Sequence, residues 1–215
     1  MSEATAAMIH DQNLLDRLSE MPTTGCGGEV FRATRPDADP TAPSINGGRW
    51  AAPPDVDAGV FVLYTSVERD GAIAEVASFL ADFTPIPGPR PIKVSRLAVT
   101  TAQTLRLVWA NLEALGVDHA HYGERDYART QKIGCALAFL GLDGLIAPSA
   151  RWPCENLMIF TENHALTERL DPLDAEDIEW QSWARAHGFI RTNSEPNTVP
   201  DARIIPIRQR PRNRS

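Results

Sequence analysis

At 215 residues and 43% hydrophobic content, the chain can bury one sizeable core and is too short for a second full domain. Acidic side chains number 28 against 21 lysines and arginines, for a formal charge of −7. Five of the arginines crowd into residues 203–215, so the remainder carries about −12 and repels nucleic-acid backbones. No stretch approaches the roughly 20 apolar residues of a membrane span, residues 1–18 lack the basic start and apolar run of a secretory signal, and three cysteines in no CxxC spacing argue against a disulfide framework or structural zinc and for a reducing cytoplasm.

Residues 13–21 form a short amphipathic helix candidate that Pro22 ends. Residues 34–54 hold five prolines and two glycines and read as a loop, long for a compact domain and of the kind that carries function. The continuous apolar run VFVLYT at 60–65 has the length and character of a strand buried on both faces. Over 70–83, Ile73, Val76, Leu80 and Phe83 recur at helical spacing. On the wheel Glu75 lies about 40° beyond the Phe79 edge of the apolar arc, so it borders the buried face.

Four prolines within 85–91 break the chain before an alternating strand at 92–97. Leu105, Val108, Leu112 and Leu115 predict a second helix stopped by Gly116; Ile133, Leu137 and Leu140 predict a third stopped by Gly141. GLIA at 144–147 and NLMIFT at 156–161 read as strands. Residues 174–187 read as a helix, with a short strand near Ile204. The order strand–helix–strand–helix–helix–strand–strand predicts an α+β domain with a mixed sheet.

Taken one at a time, the polar residues have ordinary readings. Arg32 could serve a surface ion pair; Arg49 follows two glycines that let a backbone approach a ligand, and its guanidinium could clamp phosphate oxygens or simply end a turn. Tyr64 could be core. Glu75 could line a cleft or mark a boundary, and Ser149 could cap a turn. No GxSxG elbow surrounds Ser149. The five histidines make no HExxH or similar ligand spacing, so no metal site is expected.

In combination these segments carry more. FRAT at 31–34, GGRW at 47–50, LYTS at 63–66, AIAE at 72–75, and DGLIAPSAR at 143–151 followed by NLMIF at 156–160 occur in the order found in the RES family, named for an arginine, a glutamate and a serine. YARTQKIGCALAFLG at 127–141 resembles the family's preceding helix. The resemblance spans about residues 29–165 as a RES domain, with 1–28 as an N-terminal helical extension and 166–215 as a C-terminal extension ending in the Arg-rich tail. Ala51 stands where the family often has Asn, and 151–155 replaces a small, Gly-rich link.

The resemblance implies a split, mixed sheet flanked by helices and similar to ADP-ribosyltransferases. It further implies a bacterial toxin that cleaves the nicotinamide–ribose bond of NAD⁺ by hydrolysis or phosphorolysis, with NAD⁺ as substrate and no metal. Glu75, Arg32 and Tyr64 are then the catalytic candidates; Arg32, Arg49, Tyr64, Thr65, Ser149 and Asn156 are the binding candidates. The implied partner is an Xre-type antitoxin that blocks the active site. Two alternatives stand beside this: transfer of ADP-ribose to a cellular protein, and a binding protein that kept the fold without catalysis.

Overall fold

The computed structural model describes residues 11–54 and 60–190. The Arg-rich tail and the strand expected near Ile204 lie outside the described residues.

The first helix, α1 (Gln12–Ser19), starts where the Asp11 carboxylate accepts the Asn13 N–H at 3.0 Å. Leu14, Leu15 and Leu18 form its buried stripe. The chain then enters β1 (Thr23–Thr34), crosses the long loop, and returns through β2 (Val62–Ser66). Helix α2 (Arg69–Ala81) precedes β3 (Pro91–Arg106), which leads through α3 (Trp109–Ala114) to α4 (Ala128–Phe139). Strands β4 (Gly144–Pro148), β5 (Glu155–Phe160) and β6 (Leu170–Glu179) follow, and α5 (Trp180–Ala186) ends the described fold.

The sheet runs β1-β2-β5-β4-β3-β6, and β1 pairs a second time, with β3 along nearly its whole length. Five strands therefore close a circuit, in which only β3 and β4 are parallel. The sheet splits along β3: residues 104–106 pair with β4, whereas residues 91–99 pair with β6. Asp143 is buried at this fork and accepts the N–H groups of Ala102 and Gln103 at 2.6 and 2.8 Å. Carboxylate hydrogen bonds of this kind fix where β4 starts against β3.

Burial follows from this closure. Val30, Leu63, Leu97, Ile146 and Leu157, one from each strand of the circuit, pack on one another. A second core joins α1, α3 and α4 to the sheet through Leu14, Leu112, Leu137 and Phe160. A third lies under α2 and α5, around Ile73, Ala77, Val94 and Trp180.

Three expectations change. Leu105 belongs to β3, paired with both Thr23 and Leu145, and not to the following helix; two partner strands hold it extended, where its spacing alone suggested a helical stripe. The helix expected over 174–187 is strand up to Glu179. Residues 170–179 complete the free edge of β3, and the Glu179 carboxylate then caps α5 by accepting the N–H groups of Gln181 and Ser182. Phe79 and Phe83 are half exposed, because the face of α2 against the sheet is built from the smaller Gly71, Ala74 and Ala77 with Ile73. Residues 23–28 form the first half of β1, and α5 packs on α2. Among the described residues no helix is long and apolar enough to cross a membrane.

Candidate active site

The cleft opens where β1 and β2 diverge, between α2 and the long loop. One wall is the turn at 47–51. Gly47 takes φ +70°, a value a side chain resists, and the Gly48 N–H closes on the Ala51 carbonyl at 2.8 Å. Helix α4 braces this turn from behind: Gln131 Nε2 donates to the Gly48 carbonyl at 2.9 Å, and Gly134 approaches so closely that a Cβ there would fall 1.9 Å from the Trp50 oxygen. Trp50 is 2% exposed, and its backbone N–H donates to the Tyr64 hydroxyl at 3.1 Å.

This bracing displays Arg49. Its guanidinium carbon lies 4.5 Å from the ring centre of Tyr122 and 4.6 Å from that of Tyr127, and Nη2 donates to the Glu124 carbonyl at 3.3 Å. Burial lowers the Arg49 pKa, the two tyrosines and Glu75 support the charge, and Arg151 opposes it. Arg32, near the end of β1, spends both protons of Nη1 on the loop carbonyls of Pro40 and Ala42, at 2.9 and 2.5 Å. Burial pushes it down to about 10, which still leaves it charged at neutral pH. Tyr64 is raised, chiefly by burial, and stays a neutral phenol.

Glu75 faces the same space from α2. Its Oε1 accepts from Ser149 Oγ and from Asn156 Nδ2, both at 2.8 Å. Ser149 Oγ in turn accepts the N–H groups of Arg151 and Trp152 at 3.1 and 3.2 Å, so its one proton is directed at the carboxylate. Asn156 Oδ1 is buried without a hydrogen-bond partner among the described residues. A buried acceptor left unpaired carries a cost, and it accompanies an amide turned so that Nδ2 meets Glu75.

Arg32, Arg49, Tyr64, Thr65, Glu75 and Asn156 line one cavity of about 440 Å³. Ser149 stands behind Glu75 and lines a neighbouring hollow with Trp109 and Trp152. The Thr65 hydroxyl donates to the Leu157 carbonyl at 2.7 Å, so its proton is committed to β5. Sequence reasoning missed Tyr122, Arg125, Tyr127 and Phe79, which share the wall. Tyr127 opens the YARTQ segment and could have been flagged there. Tyr122 and Arg125 sit in a stretch without periodicity, and only the tertiary fold carries them to Arg49. The walls thus combine guanidiniums, aromatic faces and one braced carboxylate, a set suited to an anion bearing flat rings.

The sequence matches the model of the RES domain over residues 29–181. The chain belongs to the RES-domain family. Every candidate residue lies inside the matched span, which runs past 165 and into α5. The crystal structure of the M. tuberculosis MbcT-MbcA toxin-antitoxin complex contains a chain that superposes on this RES-domain protein with a TM-score of 0.70. The two are 19% identical, and the match covers 80% of this chain and 96% of that one. That likeness shows the fold, the α+β arrangement of a mixed, split sheet flanked by helices that the resemblance implied. No curated protein matches the sequence. Among the described residues no group of three histidine, cysteine or carboxylate side chains is placed to hold a metal.

Proposed function

We propose that this RES-domain protein is a toxin that binds NAD⁺ in the cavity and breaks the bond between nicotinamide and ribose. The observation that carries the reading is the joint presence of two guanidiniums, Arg32 and Arg49, and a braced carboxylate, Glu75, on one cavity of about 440 Å³.

The chemistry follows from charge. The C1′–N bond breaks with its electron pair leaving on nicotinamide, whose ring becomes neutral, and positive charge develops on the ribose as in glycoside cleavage. Arg32 and Arg49 hold the diphosphate; Arg49 is desolvated and flanked by tyrosines, where a guanidinium binds oxyanions more strongly than in water. Glu75 hydrogen-bonds a ribose hydroxyl and favours the cation. Tyr64 offers the nicotinamide its ring face. Ser149 and Asn156 are positioning residues that aim Glu75, and Thr65 shapes the wall. The acceptor oxygen of water or phosphate then bonds C1′ and releases its proton.

The family resemblance and a neighbour that is the toxin of a toxin-antitoxin complex support a partner antitoxin, of the Xre type, that closes the cavity.

Glu75→Gln tests the reading. Loss of one transition-state electrostatic contact typically lowers kcat a few hundredfold, about 3–4 kcal/mol. The expected result is a folded variant with NAD⁺ consumption reduced on that scale; turnover at the wild-type rate would overturn the proposal. The same assay with labelled NAD⁺ and lysate identifies the acceptor: free ADP-ribose or its phosphate fits degradation, and a labelled protein band replaces it with protein modification.

A further inference from the structure

The cavity has a rim that the proposed chemistry at Glu75 does not use. We infer that Phe79 and Arg125 form the platform for the adenine base; the inference rests on the NAD⁺ reading and extends it to the far end of the dinucleotide.

Phe79 lies one turn after Glu75 on α2. Residues four apart share a helix face, about 6 Å apart along the axis. The ring is 51% exposed and still belongs to the cavity wall. Among the described residues it is the one strongly exposed large apolar side chain there. A phenyl ring gains nothing from water, and half-exposure at the mouth of a pocket is resolved when a flat apolar ligand covers it. The other cavity rings are less open: Trp50 is buried, Phe31 is partly buried against the core under α2, Tyr122 and Tyr127 both pack on Arg49, and Tyr64 is the ring assigned to nicotinamide.

Arg125 completes the surface. Its guanidinium carbon lies 5.5 Å from the Phe79 ring centre, and Phe83 meets the same ring edge-on at 5.1 Å. The guanidinium is fixed: Nε donates to Asp82 at 2.6 Å, and Nη2 donates both to Asp82 and to the Ser78 carbonyl, at 3.2 Å in the latter case. All these anchors sit on or just after α2, the helix that carries Glu75 and Phe79. The guanidinium lies over one side of the ring, so the exposed remainder of the ring and the fixed cation together offer a π-face and a charge to a heteroaromatic base. The base then rests at the mouth with one face toward solvent, the diphosphate reaches inward to Arg49, and the nicotinamide ribose meets Glu75.

The test is calorimetric binding of ADP and of inorganic pyrophosphate to the full chain and to two variants. Phe79→Leu keeps apolar bulk without the π-face; Phe79→Tyr keeps the ring. The expected result is ADP bound more tightly than pyrophosphate by the wild-type protein. That preference falls roughly tenfold in Phe79→Leu, the scale of one lost base–aromatic stack, and is retained in Phe79→Tyr. ADP binding no tighter than pyrophosphate, or a preference unchanged in Phe79→Leu, overturns the inference. NAD⁺ consumption measured on the same wild-type sample judges the catalytic reading separately, because the binding comparison needs no turnover.

Discussion

Both protein donors to the Glu75 carboxylate meet one oxygen, Oε1; among the described residues Oε2 receives none. A side chain held by one oxygen is oriented and still has acceptor capacity to spend on a ligand. Asn156 is the more informative of the two donors, since its own Oδ1 is left buried and unpaired. Asn156→Asp exchanges a donor for a like charge beside Glu75. Hydrogen bonds to charged groups contribute about 1.5–3 kcal/mol, so kcat for NAD⁺ is expected to fall at least tenfold with the melting temperature close to wild type. Steady-state kinetics beside a thermal melt checks this, and an unchanged kcat would remove Asn156 from the site. At this scale the helical wheel located Glu75 at the edge of the buried face correctly. It erred on Phe79 and Phe83, because hydrophobicity ranks a ring as core without knowing that the face of α2 against the sheet is taken by Ile73 and small residues such as Gly71, Ala74 and Ala77.

The turn at 47–51 and α4 behave as one element. Gly47 supplies the positive φ, and Gly134 admits the Trp50 carbonyl to the helix surface. Gly134→Ala must move either the helix or the turn, since backbone and not a flexible side-chain tip stands 1.9 Å from the new methyl group. Overpacking of this kind costs about 1–3 kcal/mol. Denaturant unfolding is expected to show that loss, and because Arg49 rides on the displaced turn, NAD⁺ affinity should weaken in the same variant. Wild-type values for both would contradict the bracing role. The helices α2 and α4 and the strands β2, β4 and β5 were legible in the sequence through periodicity and apolar runs. The full length of β3 was not, because Leu105 has helix-like spacing and becomes strand only through pairing with Thr23 and Leu145. β6 was equally hidden: its acidic residues suit a helix until the free edge of β3 is there to receive them.

In the whole molecule, the closed circuit of five strands brings residue 32 beside residues 64, 75 and 156. Arg32 is on β1, Tyr64 on β2, Glu75 on the helix after it, and Asn156 on the strand paired with β2. The core extends past the cavity wall to positions such as Leu137 on α4, which is fully buried and does not line the cavity. Leu137→Ala should cost about 2–5 kcal/mol and lower Tm by roughly 2–4 °C for each kcal/mol. Below the transition, kcat should be unchanged; a large loss of kcat with no change in Tm would show that the core and the site are not separable in this way. The sequence alone determined which residue types were available, their order along the chain and their family, because turn glycines, apolar periods and short motifs are local properties. Tertiary structure decided that Arg49 lies between two tyrosines, that Ser149 serves Glu75 from behind the cavity, and that Phe79 faces water. Those facts depend on which strands pair and which helix packs over them, and contacts between residues 70–100 positions apart leave no local signature.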